Sequence, residues 1–578
     1  MTRLSFLVSI AAFTATTATA GTLTHCETSD FASTPRYAET IEFVKRLEAI
    51  APWMRYESFG LSPAGRELPL IICDKSKKFE PLAGKPVILV FNGIHAGEID
   101  GKDACLMLLR DMTAGKYAEW LNRMTLLIVP ILNVDGHERF GLYNRPNQNG
   151  PEGGMGFRVN AEGVNLNRDW MKLETPECRA LVTVYNKWRP QLVVDMHTSD
   201  GEDFQYDLQY LWGVHPSTSS TKQAYQEALA DRIRQKMLPM GHKTSLYLSL
   251  QDPTDAASGV RLYPPSPRFS TSYFDLRDSM SILVETHADK DYRTRVLAAR
   301  DYLEQLFSEI AKDPASLLTA TDAARRETSS RQAGGPFAIG MEITDATRPY
   351  PYEGWVMSAV KSEVTGGMIP VYTRTPRTYQ TTIQDRLKVT REIAVPTAYI
   401  LEPGMSRIAK KIEEHGITIH RLVEPAELAV EAYRVEKIEF QPASYQGHHP
   451  ASGTFIIEKQ TRRFEAGSYV IPGVQPETAV LVYLLEPESG EGLFHWNYFD
   501  WIVEQKEGPE DYTMELWAAQ MLKDPDIRGE YQERLAKDEA FAKDAEKRLR
   551  FFYEKSPYFD REVGLYPVFR YSGPSVPK

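Results

Sequence analysis

His95 and Glu98 stand three residues apart in "VILVFNGIHAGEIDGKDACLMLLRDM" (87–112), where an apolar strand-like run breaks at a glycine and passes into a helix-like stretch. An imidazole and a carboxylate so placed suit a divalent metal. At average residue usage, a chain of this size holds about one His-x-x-Glu by chance. Its weight comes from position, because both residues fall where a strand ends and a helix begins, the edge at which open α/β sheets bind ligands. Gly97 between them is read as the residue that lets the backbone turn tightly enough for both side chains to face one point. A catalytic zinc takes three protein ligands and leaves a position for water, and two His with one Glu is an established set. In "PQLVVDMHTSD", His197 ends another buried strand and is the preferred third ligand.

A metal-bound water also needs a base. "SILVETHA" puts Glu285 on an interior strand, where a carboxylate without a partner is costly to bury, so it wants a metal, an arginine or a catalytic proton. His287, two residues on, shares its face and is the rival third ligand. The polar loop "GFRVNAEGVNLNRDW" (156–170) adds Arg158 and Arg168, which could fork onto a carboxylate or stabilise an oxyanion, the bland alternative being surface ion pairs. A His-Glu-x-x-His zinc helix is absent, since His137-Glu138 has no second His four residues after the first. No Gly-x-Ser-x-Gly elbow of a serine hydrolase occurs either.

The elements that must position these residues are those of an α/β domain. From about residue 33 to 318 strand-like runs alternate with amphipathic segments, and "KPVILVFNGI", "MTLLIVPILNV", "PQLVVDMHTS" and "SMSILVETHA" are apolar on both faces, as interior strands are. The chain has 578 residues, 42% of them apolar, enough for two to four domains. Its 78 acidic and 67 basic residues give a formal charge of -11 with no long basic run, which excludes nucleic acid as the expected partner. Residues 1–20, "MTRLSFLVSIAAFTATTATA", read as a cleavable export signal, so the chain is expected to be secreted or periplasmic. No segment matches a stable membrane span. Cys26, Cys73, Cys105 and Cys178 would allow one or two disulfides in such a compartment, though Cys105, inside an apolar helix-like run, reads as an inert buried thiol.

Taken together, His95-x-x-Glu98, the "GVNLNRDW" loop, His197 and Glu285 resemble the zinc carboxypeptidases of the carboxypeptidase A type, over roughly residues 36–318. The resemblance implies a three-layer α/β/α fold with a central mixed, largely eight-stranded sheet. It implies one zinc per chain on His95, Glu98 and His197, with Glu285 as general base and acid. Arg158 would polarise the scissile carbonyl, and Asn167 and Arg168 would grip the substrate's terminal carboxylate. The family's mobile tyrosine has two candidates here, Tyr263 and Tyr273. One departure is plain: many members have an aspartate two residues before the Asn-Arg pair, and this chain has Asn165, so a neutral amide replaces the carboxylate that orients a metal-binding His. Asp195, on the strand face of His197, is a substitute acceptor or a buried ion-pair partner.

The expected organisation is a signal over 1–20, a catalytic domain over 21–325, a smaller α/β domain over 326–434, a β-rich module over 435–505 and a helical tail over 506–578. The expected activity is an exported metallocarboxypeptidase acting on peptides with a free C-terminal carboxylate. The competing expectations are a zinc amidase or peptidase acting on cell-wall muropeptides, and a non-catalytic zinc-containing binding protein. Oligomeric state is not legible.

Overall fold

The computed structural model describes residues 23–578; the export signal expected over 1–20 lies outside the described residues. The chain divides into two compact units. The first runs to Val395 and includes Lys410–Thr418 and Val474–Tyr483, and the second comprises Pro396–Ala409, Ile419–Gly473 and Leu484–Lys578.

Ten strands open the first unit: β1 (Met54–Leu61), β2 (Glu67–Cys73), β3 (Val87–Asn92), β4 (Thr125–Val129), β5 (Leu192–Thr198), β6 (Leu208–Trp212), β7 (Thr244–Leu246), β8 (Ser249–Asp252), β9 (Asp255–Arg261) and β10 (Met280–Thr286). Eight of them form one sheet in the order β1-β2-β4-β3-β5-β10-β6-β7. The sheet is mixed: β4, β3, β5 and β10 run parallel, while β1, β2 and β6 pair antiparallel. Every residue of β3, β5 and β10 is buried, which is why these runs are apolar throughout rather than alternating.

Two faces of the sheet bury different things. Ile88, Val90, Val194, Met196, Ile282 and Val284 join the main core with the helices Asp100–Thr113, Ser220–Met237 and Tyr292–Lys312. The alternate residues point the other way. Phe91 meets Trp170 and Phe274 there, the latter from the short helix Ser270–Asp275. Asp195, His197 and Glu285 share that second face by the period of two. The sheet thus delivers them to the loop around residues 165–170.

Strands β11 (Pro336–Ile343), β12 (Thr347–Lys361), β13 (Met368–Gln384) and β14 (Leu387–Ala394) belong to the first unit. β11 pairs with β14, and the long β12–β13 hairpin joins β8 and β9 through Ile383–Val260 and Gln384–Arg261. Tyr352, Tyr379 and Ile383 are buried with Phe204, Tyr206, Leu250 and Val260. The segment 326–434, read from sequence as one smaller α/β domain, therefore divides between the two units. Its hairpin has a hydrophobic partner more than a hundred residues upstream.

The second unit is built on a six-stranded sheet of β15 (Ala398–Leu401), β16 (His420–Arg421), β17 (Ala426–Phe440), β18 (Ala451–Phe464), β19 (Tyr469–Pro472) and β20 (Phe569–Tyr571), ordered β16-β19-β15-β20-β17-β18. Ile400, Ala432, Phe464, Val470 and Phe569 form its core. The last helices, Asp511–Met521 to Ala545–Lys555, bury Phe541, Phe551, Phe552 and Tyr553 against one another. All four cysteines are free and buried, so the disulfides allowed by the sequence do not form.

Candidate metal centre

β3 ends at Asn92, and Gly93 turns the chain with φ +64° before His95. The Glu98 amide donates to the His95 carbonyl at 2.9 Å, which closes the turn that brings both side chains to one side. Gly97 serves this turn differently from the sequence reading. A Cβ there would stand 2.6 Å from both the Arg145 Cγ and the Gly156 carbonyl, so glycine is required by close approach of neighbouring loops rather than by φ. Just beyond, the Asp100 carboxylate accepts from Thr198 at 2.7 Å and Thr286 at 2.6 Å, tying the helix start to the ends of β5 and β10.

The donor atoms of His95, Glu98 and His197 all lie within 4.8 Å of one another, and the two imidazole centroids are 4.9 Å apart. The three residues are 4%, 2% and 3% exposed. His95 Nδ1 is 3.0 Å from Glu98 Oε1, and His197 Nδ1 is 2.8 Å from Glu98 Oε2. Each ring is held from behind: His95 Nε2 lies 3.1 Å from Asn165 Oδ1, and His197 Nε2 lies 2.8 Å from Asp195 Oδ2. Both outer partners are acceptors, so each Nε2 carries hydrogen and each Nδ1 is turned toward Glu98. Two imidazole nitrogens and a carboxylate converging on one buried point fit a zinc ion by donor type and number.

Burial pushes the His95 imidazole down to about 3, which keeps it neutral. Burial acts the same way on His197, but the Asp195 and Glu98 carboxylates outweigh it and hold that ring above its ordinary value. For Glu98, burial is overcome by His95, Arg145 and His197, so the carboxylate stays ionised. Glu285 stands in register with His197 on the neighbouring strand. Burial, opposed by His197 and reinforced by Glu98 and Asp195, pushes it up to about 8, and its Oε2 has no hydrogen-bond partner.

The remaining expected residues fall around this core. Arg158 Nη1 is 3.5 Å from Glu98 Oε1. Asn167 Oδ1 accepts from the Ser270 amide at 2.9 Å and from Trp170 Nε1 at 3.2 Å, which leaves its amide nitrogen 3.4 Å from His197 Nε2. Arg168 donates to the Asn167 carbonyl at 2.7 Å and stacks 4.4 Å over the Phe269 ring. The two tyrosines separate clearly. Tyr273 is fully buried, with its hydroxyl 2.7 Å from His415 Nδ1, whereas Tyr263 is 48% exposed and stacked on Tyr247. The Glu285 carboxylate lies near enough to Tyr247 to help keep that phenol protonated, after burial itself.

The rival ligand His287 faces elsewhere. Its Nε2 is 3.2 Å from Asp203 Oδ1 and its ring stacks on Phe204. Asp203, His287 and Asp289 are close enough together for an ion, but Asp203 already accepts from Trp355 at 2.8 Å and pairs with Arg374 at 2.6 Å. Sequence reasoning missed Arg145. Its buried guanidinium reaches Glu98 Oε1 at 2.7 Å and Gln148 Oε1 at 3.1 Å. It lies in "NRPNQNG", a turn-rich stretch whose arginine reads as solvated.

Residues 40–304 match the family described as zinc carboxypeptidase. The chain is 24% identical over 488 residues to carboxypeptidase 2 of Trichophyton rubrum, covering 80% of this chain and 84% of that protein. It is likewise 24% identical over 486 residues to carboxypeptidase 2 of Trichophyton equinum, with the same coverage of 80% and 84%. A likeness this long runs well past the catalytic half, to which the sequence resemblance had been confined. Among solved structures, a metallo-carboxypeptidase from Burkholderia cenocepacia is 16% identical with a TM-score of 0.37, covering 48% of this chain and 69% of that one. The carboxypeptidase A from Helicoverpa armigera is also 16% identical with a TM-score of 0.37, covering 49% and 75%.

Proposed function

We propose, from the match of residues 40–304 to the zinc carboxypeptidase family, that this chain removes residues from the C-terminal end of peptides at one zinc ion held by His95, Glu98 and His197. The observation that carries this reading is the convergence of those three donors beside Glu285, a buried carboxyl with one oxygen unengaged. When bound, the metal supplies a Lewis acid that polarises the scissile carbonyl and acidifies water. Glu285 takes the proton from the attacking water and delivers it to the leaving nitrogen. Arg158 donates to the oxyanion that develops on the carbonyl oxygen. Asn167 and Arg168 grip the substrate's free carboxylate and so fix which bond is cut. Tyr263, exposed and beside Tyr247, is the family's mobile tyrosine, since the Tyr273 hydroxyl is committed to His415.

The test is Glu285→Gln, which is expected to retain zinc and lose hydrolysis by roughly two to four orders of magnitude. Normal peptide turnover by this variant would remove Glu285 from the mechanism. Amidating the substrate's C-terminus is expected to abolish cleavage, and an enzyme indifferent to it is not a carboxypeptidase. Export through residues 1–20 belongs to the same proposal and is checked by the first residue of the mature protein, expected at Gly21. A chain that keeps Met1 on its way out of the cell overturns that part. Among the described residues no helix is long and apolar enough to cross a membrane.

A further inference from the structure

Resting on the reading that His95, Glu98 and His197 hold the metal, we propose that this chain has transposed the carboxylate that supports its metal-binding histidines. The anion stands behind His197 as Asp195 while a neutral amide, Asn165, stands behind His95, and Asp195 also joins the metal centre to the substrate-gripping Asn167 through Ser270.

Asn165 Oδ1 lies 3.1 Å from His95 Nε2 and also accepts from the Asn167 amide at 3.0 Å. The second bond fixes which end of the side-chain amide faces the ring. This acceptor sets the His95 tautomer and orientation but brings no charge. Asp195 does bring one. It is 1% exposed, its Oδ2 lies 2.8 Å from His197 Nε2, and the Ser270 hydroxyl donates to the same oxygen. The pairing is written into the strand, because residues two apart on β5 share a face. Ser270, itself fully buried, has its backbone amide on Asn167 Oδ1 at 2.9 Å. One serine thus holds the carboxylate behind the metal ligand with its hydroxyl and the substrate-facing amide with its backbone.

An imidazole that donates to a carboxylate is a stronger base at its other nitrogen than one that donates to an amide, because the anion stabilises positive charge drawn onto the ring. His197 is therefore the stronger metal donor of the two, and His95 the weaker. The supporting carboxylate that many members of the resembled family have behind the first histidine thus stands here behind the other ligand. Asp195 is a positioning residue: it touches neither substrate nor metal and acts through His197 and Ser270.

The experiment measures zinc dissociation constants by competition with a chromogenic chelator for the full chain and three variants. Asp195→Asn is expected to weaken zinc roughly 10- to 100-fold. The double variant Asn165→Asp with Asp195→Asn returns the carboxylate to His95 and is expected to recover most of that loss. Asn165→Asp alone, with two anions, is expected to bind at least as tightly as the natural chain. A merely structural Asp195 predicts the opposite pattern, namely lower melting temperatures of the metal-free variants, unchanged zinc affinity and no recovery in the double variant, and that pattern overturns the proposal. If Asp195→Asn does not fold, Ser270→Ala tests the link, since KM for peptides with a free C-terminus should rise about three- to tenfold with zinc retained. An unchanged KM overturns it. A natural chain that binds no zinc would instead overturn the metal reading on which this rests.

Discussion

The Glu98 carboxylate meets His95, His197, Arg145 and Arg158 at once. Its partners differ in how far sequence revealed them. The histidines were legible because each ends a run too apolar and too short to be anything but an interior strand, and Glu285 because an acid inside such a run needs a reason. Arg145 was not, because a loop gives no periodicity from which burial can be inferred. Its removal has a definite expectation. Breaking a buried ion pair by deleting one partner costs roughly 3–5 kcal/mol, and this pair is 6% and 2% exposed. Arg145→Met should lower the stability of metal-free protein by about that amount, and by less with zinc present, because the metal then compensates Glu98. Chemical denaturation with and without zinc checks this, and an equal loss in both conditions would assign Arg145 a role independent of the metal ligand.

At the level of elements, the interior positions of β3, β4, β5 and β10 were legible because those runs are apolar on both faces, and two of them, β3 and β5, lead to or carry the expected ligands His95, Glu98 and His197. The β12–β13 hairpin was beyond such reading because its hydrogen bonds to β9 join segments far apart in sequence, and nothing local encodes that pairing. Another long-range tie is testable through pH. His242 bridges Asp207 at 3.1 Å, beside β6, and Asp301 at 3.3 Å, on the helix Tyr292–Lys312. The hydrogen bond to Asp207, then that to Asp301, raise the imidazole to about 9. Lys290 also faces Asp207 and Arg300 also faces Asp301. A raised folded-state pKa stabilises fully below the unfolded value near 6.5, and that contribution fades as pH rises through about 9. His242→Gln should therefore cost on the order of 1–2 kcal/mol at pH 6, after allowance for partial exposure, and little at pH 10. Urea unfolding across that range reads the difference, and a gap that persists at pH 10 would refute the charge-based account.

Over the whole molecule, the domain boundaries were the least legible feature, since the contacts that define the two units include return segments such as Val474–Tyr483 within the first. Composition marks where loops lie, not which of the flanking elements will share a core. The cysteines show the same distinction. Their even number suggested bridges, but Cys26, Cys73, Cys105 and Cys178 each sit inside a core, and burial raises every one of these thiols well above its ordinary value. Their consequence is kinetic. With the reactive thiolate suppressed and access closed, alkylating reagents should leave all four untouched in the native protein and modify all four in denaturant. The rate at which each cysteine is lost to such a reagent, followed by mass spectrometry, then becomes a built-in clock for the opening of the first unit. A cysteine that labels at once under native conditions would mark a region already breathing.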